Sequence, residues 1–241
     1  DSFGHETTGL LRSGFMASAD SLLGFQDRLT GAVNIARSST SPFIDYNVPI
    51  NRLGTRVGVF YLYGKNKVTS GEYQDFQLGA NTHVLSAYIS HPLIDSSKGT
   101  LNVNVSGNAK FSKADIAKFV YSDFDDYNVA VGLGGSRNFK KSVLYSSIYS
   151  TNGIIKDGMR HTSDYFTKVN ADTYYVHYLP KNIIAILRAG GQYSPHDIAY
   201  VEQYQIGGMS SVRGYTESLF MGVSSYFVSA EMLFPIPFIP E

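Results

Sequence analysis

Leu101-Asn102-Val103-Asn104-Val105-Ser106-Gly107-Asn108-Ala109-Lys110 is the stretch that decides how this chain is built. Successive side chains of an extended strand face opposite ways. Leu101, Val103, Val105, Gly107 and Ala109 therefore share one side, and Asn102, Asn104, Ser106, Asn108 and Lys110 share the other. One face is apolar and the other is wet. Residues 127–136 repeat the pattern, with Tyr127, Val129, Val131 and Leu133 against Asn128, Ala130, Gly132, Gly134 and Ser136. In 165–178 the two sets are Tyr165, Thr167, Val169, Ala171, Thr173 and Tyr175, and Lys168, Asn170, Asp172 and Tyr174. Less regular alternation over 9–18, 27–37, 43–50, 55–66, 82–91, 142–152, 183–194 and 223–234 brings the total to about eleven candidate strands, with helical periodicity almost absent.

Composition agrees with this reading and excludes several others. Twenty-three glycines and 18 tyrosines beside only 17% charged residues favour β-structure with many tight turns. No stretch approaches the roughly 18 apolar residues that a spanning helix needs. Twenty basic against 20 acidic residues give no net charge with which to attract nucleic acid. With no cysteine, disulfide scaffolds, thiolate metal sites and cysteine nucleophiles are excluded. The first residues, Asp1-Ser2-Phe3-Gly4-His5-Glu6, carry no basic segment followed by an apolar run, so any signal peptide is expected to be removed or to lie outside the chain.

Alternation alone also describes a soluble sandwich. Length separates the two: strands near ten residues match the 9–11 that cross a bilayer at a steep tilt, whereas soluble strands average about five or six. Small residues on the polar face (Gly132, Gly134, Ser136) suit a crowded lumen, and Tyr127, Tyr165, Tyr175 and Tyr178 fall near strand ends, where an amphipathic ring meets lipid headgroups. Short connections at 51–54, 91–98, 138–141 and 179–182 alternate with longer polar segments at 66–80, 112–125, 153–163 and 195–222. That is the rhythm of an outer-membrane barrel with periplasmic turns and outward loops. With 195–222 as an outward loop, counting back puts the segment before Gly9 outside as well, so at least one strand should precede Asp1. An odd set of strands also leaves unpaired edges in lipid. The expectation is an all-β, transmembrane antiparallel barrel of which residues 1–241 form a part.

The long segment contains Gln205-Ile206-Gly207-Gly208-Met209-Ser210-Ser211-Val212-Arg213-Gly214-Tyr215. Gly-Gly followed by Ser-Val-Arg-Gly-Tyr resembles the signature of the sixth extracellular loop in the Omp85 superfamily of outer-membrane barrels. Upstream, Asp1-Ser2-Phe3-Gly4 with Thr8-Gly9, then Asp20-Ser21-Leu22-Leu23-Gly24 with Asp27-Arg28-Leu29, resembles the start of the barrel in the two-partner secretion transporters. These are the haemolysin-activator, filamentous-haemagglutinin-transporter and contact-dependent-inhibition-toxin-transporter types. That branch usually reads Asp-Asn-Pro-Leu-Gly at the turn, so Ser21 and Leu22 replace Asn and Pro here. In Tyr46-Asn47-Val48-Pro49-Ile50 the following Asn51 stands where Gly is common.

The resemblance implies a sixteen-stranded barrel, of which the first strand and last four lie outside this chain together with periplasmic POTRA domains. It also implies an integral protein in contact with outer-membrane lipid, and export of a large β-helical partner protein without nucleotide hydrolysis or cofactor. The long loop would fold into the lumen, with Arg213 locked to an acidic residue on the wall. Within the chain Glu231 is the candidate, because Ser225, Phe227, Ser229 and Glu231 share a strand face and a carboxylate facing lipid is costly. Gly214 allows a turn with positive φ, and Tyr215 can pack against the wall. Lys168, Asp172 and Arg188 read as ordinary lumen charges.

Enzyme chemistry finds little to stand on. No HExxH pattern exists, and His91, His177 and His196 lie on separate segments. The glycines at 132–135 lack a following helix, and no Gly-x-Ser-x-Gly elbow occurs. An insertase of other barrels, a passive porin and a soluble binding module are the alternatives left open at this point.

Overall fold

The computed structural model describes residues 12–68, 78–117, 119–208, 211–215 and 218–235. Eleven strands form one antiparallel sheet in which each strand pairs with its neighbour in sequence: β1 (Arg12–Asp20), β2 (Arg28–Ala36), β3 (Ser39–Pro49), β4 (Arg56–Lys67), β5 (Gly79–Ser96), β6 (Gly99–Ile116), β7 (Phe119–Phe139), β8 (Ser142–Asp157), β9 (Thr162–Tyr178), β10 (Ile184–Tyr193) and β13 (Ser225–Leu233). Between β10 and β13 lies a separate hairpin of β11 (Tyr204–Ile206) and β12 (Phe220–Gly222). The segments at 1–4, 8–11 and 236–237 that entered the sequence reading fall outside the described residues.

Burial is inverted relative to a water-soluble protein. Hydrophobic side chains such as Val105, Val129, Val131, Leu133, Ile148, Leu187 and Val228 are exposed, Val129 at 52%. Polar ones are enclosed, including Ser112, Ser122, Asp126, Thr151, Gln192 and Glu202. Among the described residues the buried hydrophobics are only Ala114, Ile155, Phe166 and Ile198. An apolar outer surface over a hydrogen-bonded polar face is the dyad of a membrane barrel wall, because only lipid makes exposed valine and leucine favourable.

On the polar face, neighbouring strands satisfy one another sideways. Ser86 Oγ donates to Asn108 Oδ1, Asn108 Nδ2 donates to Asn128 Oδ1 (2.8 Å), and Asn170 Nδ2 donates to Gln192 Oε1 (2.9 Å). Glycine on this face makes room for rings: a Cβ at Gly132 would collide with the Tyr149 ring, so Tyr149 lies flat across β7.

Two expectations about the connections are corrected. The segments 112–125 and 153–163 are not long loops; β6 continues to Ile116 and β7 starts at Phe119, and β8–β9 turn only at 158–161. Strands β5 to β9 reach 16–21 residues, well past a bilayer crossing. Over these extensions polar and apolar residues stop alternating, as in Phe119-Val120-Tyr121 and Ile154-Ile155, but the backbone ladder continues because its hydrogen bonds do not depend on the alternation. Turns at 21–27, 50–55, 97–98, 140–141 and 179–183 share one end of the sheet. At the other end 68–78 and 194–224 are long, and 37–38 is short.

Candidate functional site

The connection from β10 to β13 does not project away from the sheet; its first part lies down on the polar face. Its two ends are tied to each other, with Ser194 N donating to Ser224 Oγ (3.0 Å) and Ser224 Oγ donating back to Ser194 O (3.2 Å). Ser194 Oγ also donates to Thr167 O on β9 (2.8 Å). Ile198 then buries against Ile155 of β8 and Phe166 of β9, flanked by Phe124, Ala199 and Val223. Tyr200 sets its ring edge-on to Phe124 at 5.6 Å and shares a hydrogen bond with Ser122 at 3.1 Å. The protruding part of β7 thus serves as a bed for the loop.

One 3₁₀ turn, Tyr200–Glu202, delivers a carboxylate into this contact. Glu202 is 5% exposed and forms ion pairs with Lys110 of β6 and with Lys168 of β9, the latter at 2.7 Å. The same lysines also grip the backbone: Lys110 Nζ donates to Val201 O (3.2 Å) and Lys168 Nζ to Glu202 O (2.9 Å). Gln192 Nε2 on β10 donates to Glu202 O (3.1 Å) and to Val223 O (3.0 Å), joining the two limbs of the loop. Burial on its own would raise the Glu202 carboxyl, but the ammonium groups of Lys110 and Lys168 and a hydrogen bond with Asp126 outweigh it and hold it well below the usual range. Asp126 is 1% exposed.

Further along, the glycine-rich segment folds on itself. Gly207 N donates to Ser211 Oγ (2.7 Å), Ser211 Oγ donates to Gly207 O (3.0 Å), and Gly208 N donates to Tyr215 O (3.1 Å). Gly208 and Gly214 have φ of 82° and 91°, values that only glycine adopts without strain. Val212 is half-buried in the turn that these contacts define. Arg213, 51% exposed, extends from it to place Nη1 3.3 Å from Glu231 Oε2 on β13. Arg188 Nη2 lies 3.9 Å from Glu231 Oε1, and the Arg188 guanidinium sits over the Tyr174 ring at 5.3 Å.

The structure therefore brings together Arg213, Glu231 and Arg188 as one group, and Lys168 with Glu202 and Lys110 as another. Asp172 joins neither; it accepts from Tyr204 Oη at 3.1 Å, at the foot of the β11–β12 hairpin. Tyr215 differs from expectation. It is exposed, and its ring packs tilted at 60° against Phe220 of its own loop, with centroids 6.2 Å apart. Sequence reasoning missed Glu202, Lys110 and Asp126 as site residues. Their numbers are far apart, and only the strand register unites them: Lys110 pairs with Asp126 across β6–β7.

This fold and its wall-bound loop define an integral outer-membrane β-barrel protein of the Omp85 superfamily. The chain belongs to the family described as haemolysin secretion/activation protein ShlB/FhaC/HecB, which matches residues 1–240. Among curated relatives, the heme/hemopexin transporter protein HuxB of Haemophilus influenzae is 25% identical over 231 residues, covering 89% of this chain and 40% of that protein. This chain thus spans well under half the length of that relative. Among solved structures, CdiB from Escherichia coli superposes with a TM-score of 0.77 at 18% identity, covering 99% of this chain and 48% of that one. CdiB from Acinetobacter baumannii gives 0.74 at 20% identity, covering 94% and 44%. BamA from Haemophilus ducreyi, in a structure lacking POTRA domains 1–3, gives 0.68 at 16% identity, covering 99% and 53%.

Proposed function

We propose that this chain forms part of the wall, and the lumen loop, of a pore that exports a large partner protein to the cell surface by two-partner secretion, without nucleotide hydrolysis. The single observation that carries this is the family match along residues 1–240. A polar inner face closed by a loop, with no catalytic constellation required, is what such a pore needs. In this reading the complete barrel has sixteen strands, residues 1–241 form part of it, and 195–222 is the sixth extracellular loop. Periplasmic POTRA domains deliver the substrate. The partner is an extended chain that folds into a β-helix outside, and each folded turn hinders sliding back. Gly207, Gly208, Ser211, Val212, Arg213, Gly214 and Tyr215 shape the loop, with Glu231 as the acidic partner of Arg213.

The test is reconstitution of the complete protein in lipid vesicles, with unfolded partner supplied on the periplasmic face and no nucleotide present. Partner protected from added protease inside the vesicle is the expected result. Protection that requires nucleotide, or assembly of other barrels into the vesicle without any passage of partner, would overturn the reading in favour of an energised pump or an insertase.

A further inference from the structure

We infer that Glu202 is the positioning residue that seats the long loop on the pore wall, and that the Arg213–Glu231 pair orients only the outer part of a loop already held at its base. This rests on the proposed role of the loop in a pore.

Three wall strands converge on the Glu202 segment: β6 through Lys110, β9 through Lys168 and β10 through Gln192. Each lysine holds both the carboxylate and a backbone carbonyl, so the turn 200–202 is gripped at side chain and main chain together. The Lys168 side chain is only 12% exposed, so removing the Glu202 carboxylate takes its ion-pair partner from a nearly buried ammonium group. Ile198, two residues before this turn begins, is sealed beneath the loop by Ile155 and Phe166. The outer part is built differently. Arg213 is half-exposed, and Glu231 Oε1 has no hydrogen-bond donor among the described residues. Tyr215 and Phe220 pack within the loop, and Gln205 and Ser218 close the β11–β12 hairpin with a hydrogen bond of their own at 2.6 Å. Contacts inside the hairpin hold its shape but contribute nothing to holding it on the wall.

The experiment uses the complete protein in outer-membrane vesicles with Ile198→Cys as a reporter, since this chain has no cysteine of its own to label. A water-soluble maleimide reads whether position 198 is covered. Background variants are Glu202→Gln, Lys168→Gln, both together, and Arg213→Ala. Heat-modifiable migration on gels verifies in each case that the barrel is folded.

Glu202→Gln is expected to raise the labelling rate at 198 by roughly tenfold or more, because uncompensated buried charge unseats the base of the loop. Lys168→Gln does the same from the wall side, the double variant goes no further than Glu202→Gln alone, and Arg213→Ala leaves 198 protected. Protection unchanged in Glu202→Gln with a folded barrel, exposure of 198 by Arg213→Ala, or independent multiplying effects of the two single charge variants would each overturn the assignment. Partner export measured alongside separates the two readings. A rise in labelling with export unaffected leaves the seat standing and counts against a role of the seated loop in export, whereas no export by the unsubstituted protein overturns the pore function itself.

Discussion

Glu202 and Glu231 are two carboxylates serving one loop, and their surroundings give them unequal weight. At Glu231 the partner guanidinium is half in solvent, where an ion pair contributes about 0–1 kcal/mol. Breaking a buried pair such as Glu202–Lys168 costs about 3–5 kcal/mol, since a charge is left without a counterpart. Arg213→Ala is accordingly expected to leave the barrel fold and its abundance unchanged while lowering the amount of partner in the medium; equal amounts at matched barrel abundance would dismiss an orienting role. The lowered Glu202 carboxyl sets a direction with pH. A depressed acid contributes stability that is complete above its ordinary value of 4.5 and is lost as pH falls through the folded value. Maleimide labelling at position 198 should therefore remain slow at pH 5 and accelerate only in stronger acid, and acceleration between pH 7 and 5 would contradict the lysine pairing. Arg213 was legible in the sequence because its flanking glycines and Tyr215 make a compact pattern. Glu202 was not, because Lys110 and Lys168 stand 92 and 34 residues away and no local spacing announces them.

At the scale of elements, the turn between β1 and β2 shows what a family signature does physically. Asp27 is fully buried and accepts from Leu23 N at 3.1 Å and from Tyr46 Oη at 3.3 Å, so one carboxylate closes the turn and fixes it to β3. Asp27→Ala should destabilise the barrel by about 1–3 kcal/mol, the cost of stranding buried donors, seen as a lower temperature for heat-modified migration. Ser21 has φ of 56°, where asparagine is better tolerated, which gives a reason for the Asn usual at this place in the branch. Ser21→Asn should be neutral or stabilising in the same measurement. All eleven strands of the main sheet were legible from alternation, for lipid on one side and water on the other impose it. The hairpin β11–β12 was not, since three-residue strands in a polar loop carry no period. The outer extensions of β6 to β9 were misread as loops for the related reason that apolar and polar residues stop alternating there, as in Phe119-Val120-Tyr121 and Ile154-Ile155.

For the whole molecule, the decisive property is which side faces lipid. Val129 and Ala130 are adjacent in β7 yet lie on opposite faces. Val129→Arg should cost about 2–4 kcal/mol if it sits near mid-membrane and reduce barrel abundance in the outer membrane, whereas Ala130→Arg should be tolerated. Equal losses from both would reject the sidedness assigned to the sheet. The polar face has a further consequence. Its amides and hydroxyls are already engaged with each other from strand to strand, through Ser86, Asn108 and Asn128 and again through Asn170 and Gln192. A polypeptide sliding past such groups would have to break a bond within the wall for every bond it made to it, so no position along the wall holds it for long. The surface is wet enough to keep an extended chain solvated and too self-satisfied to detain it: in mechanical terms, a bearing with low friction.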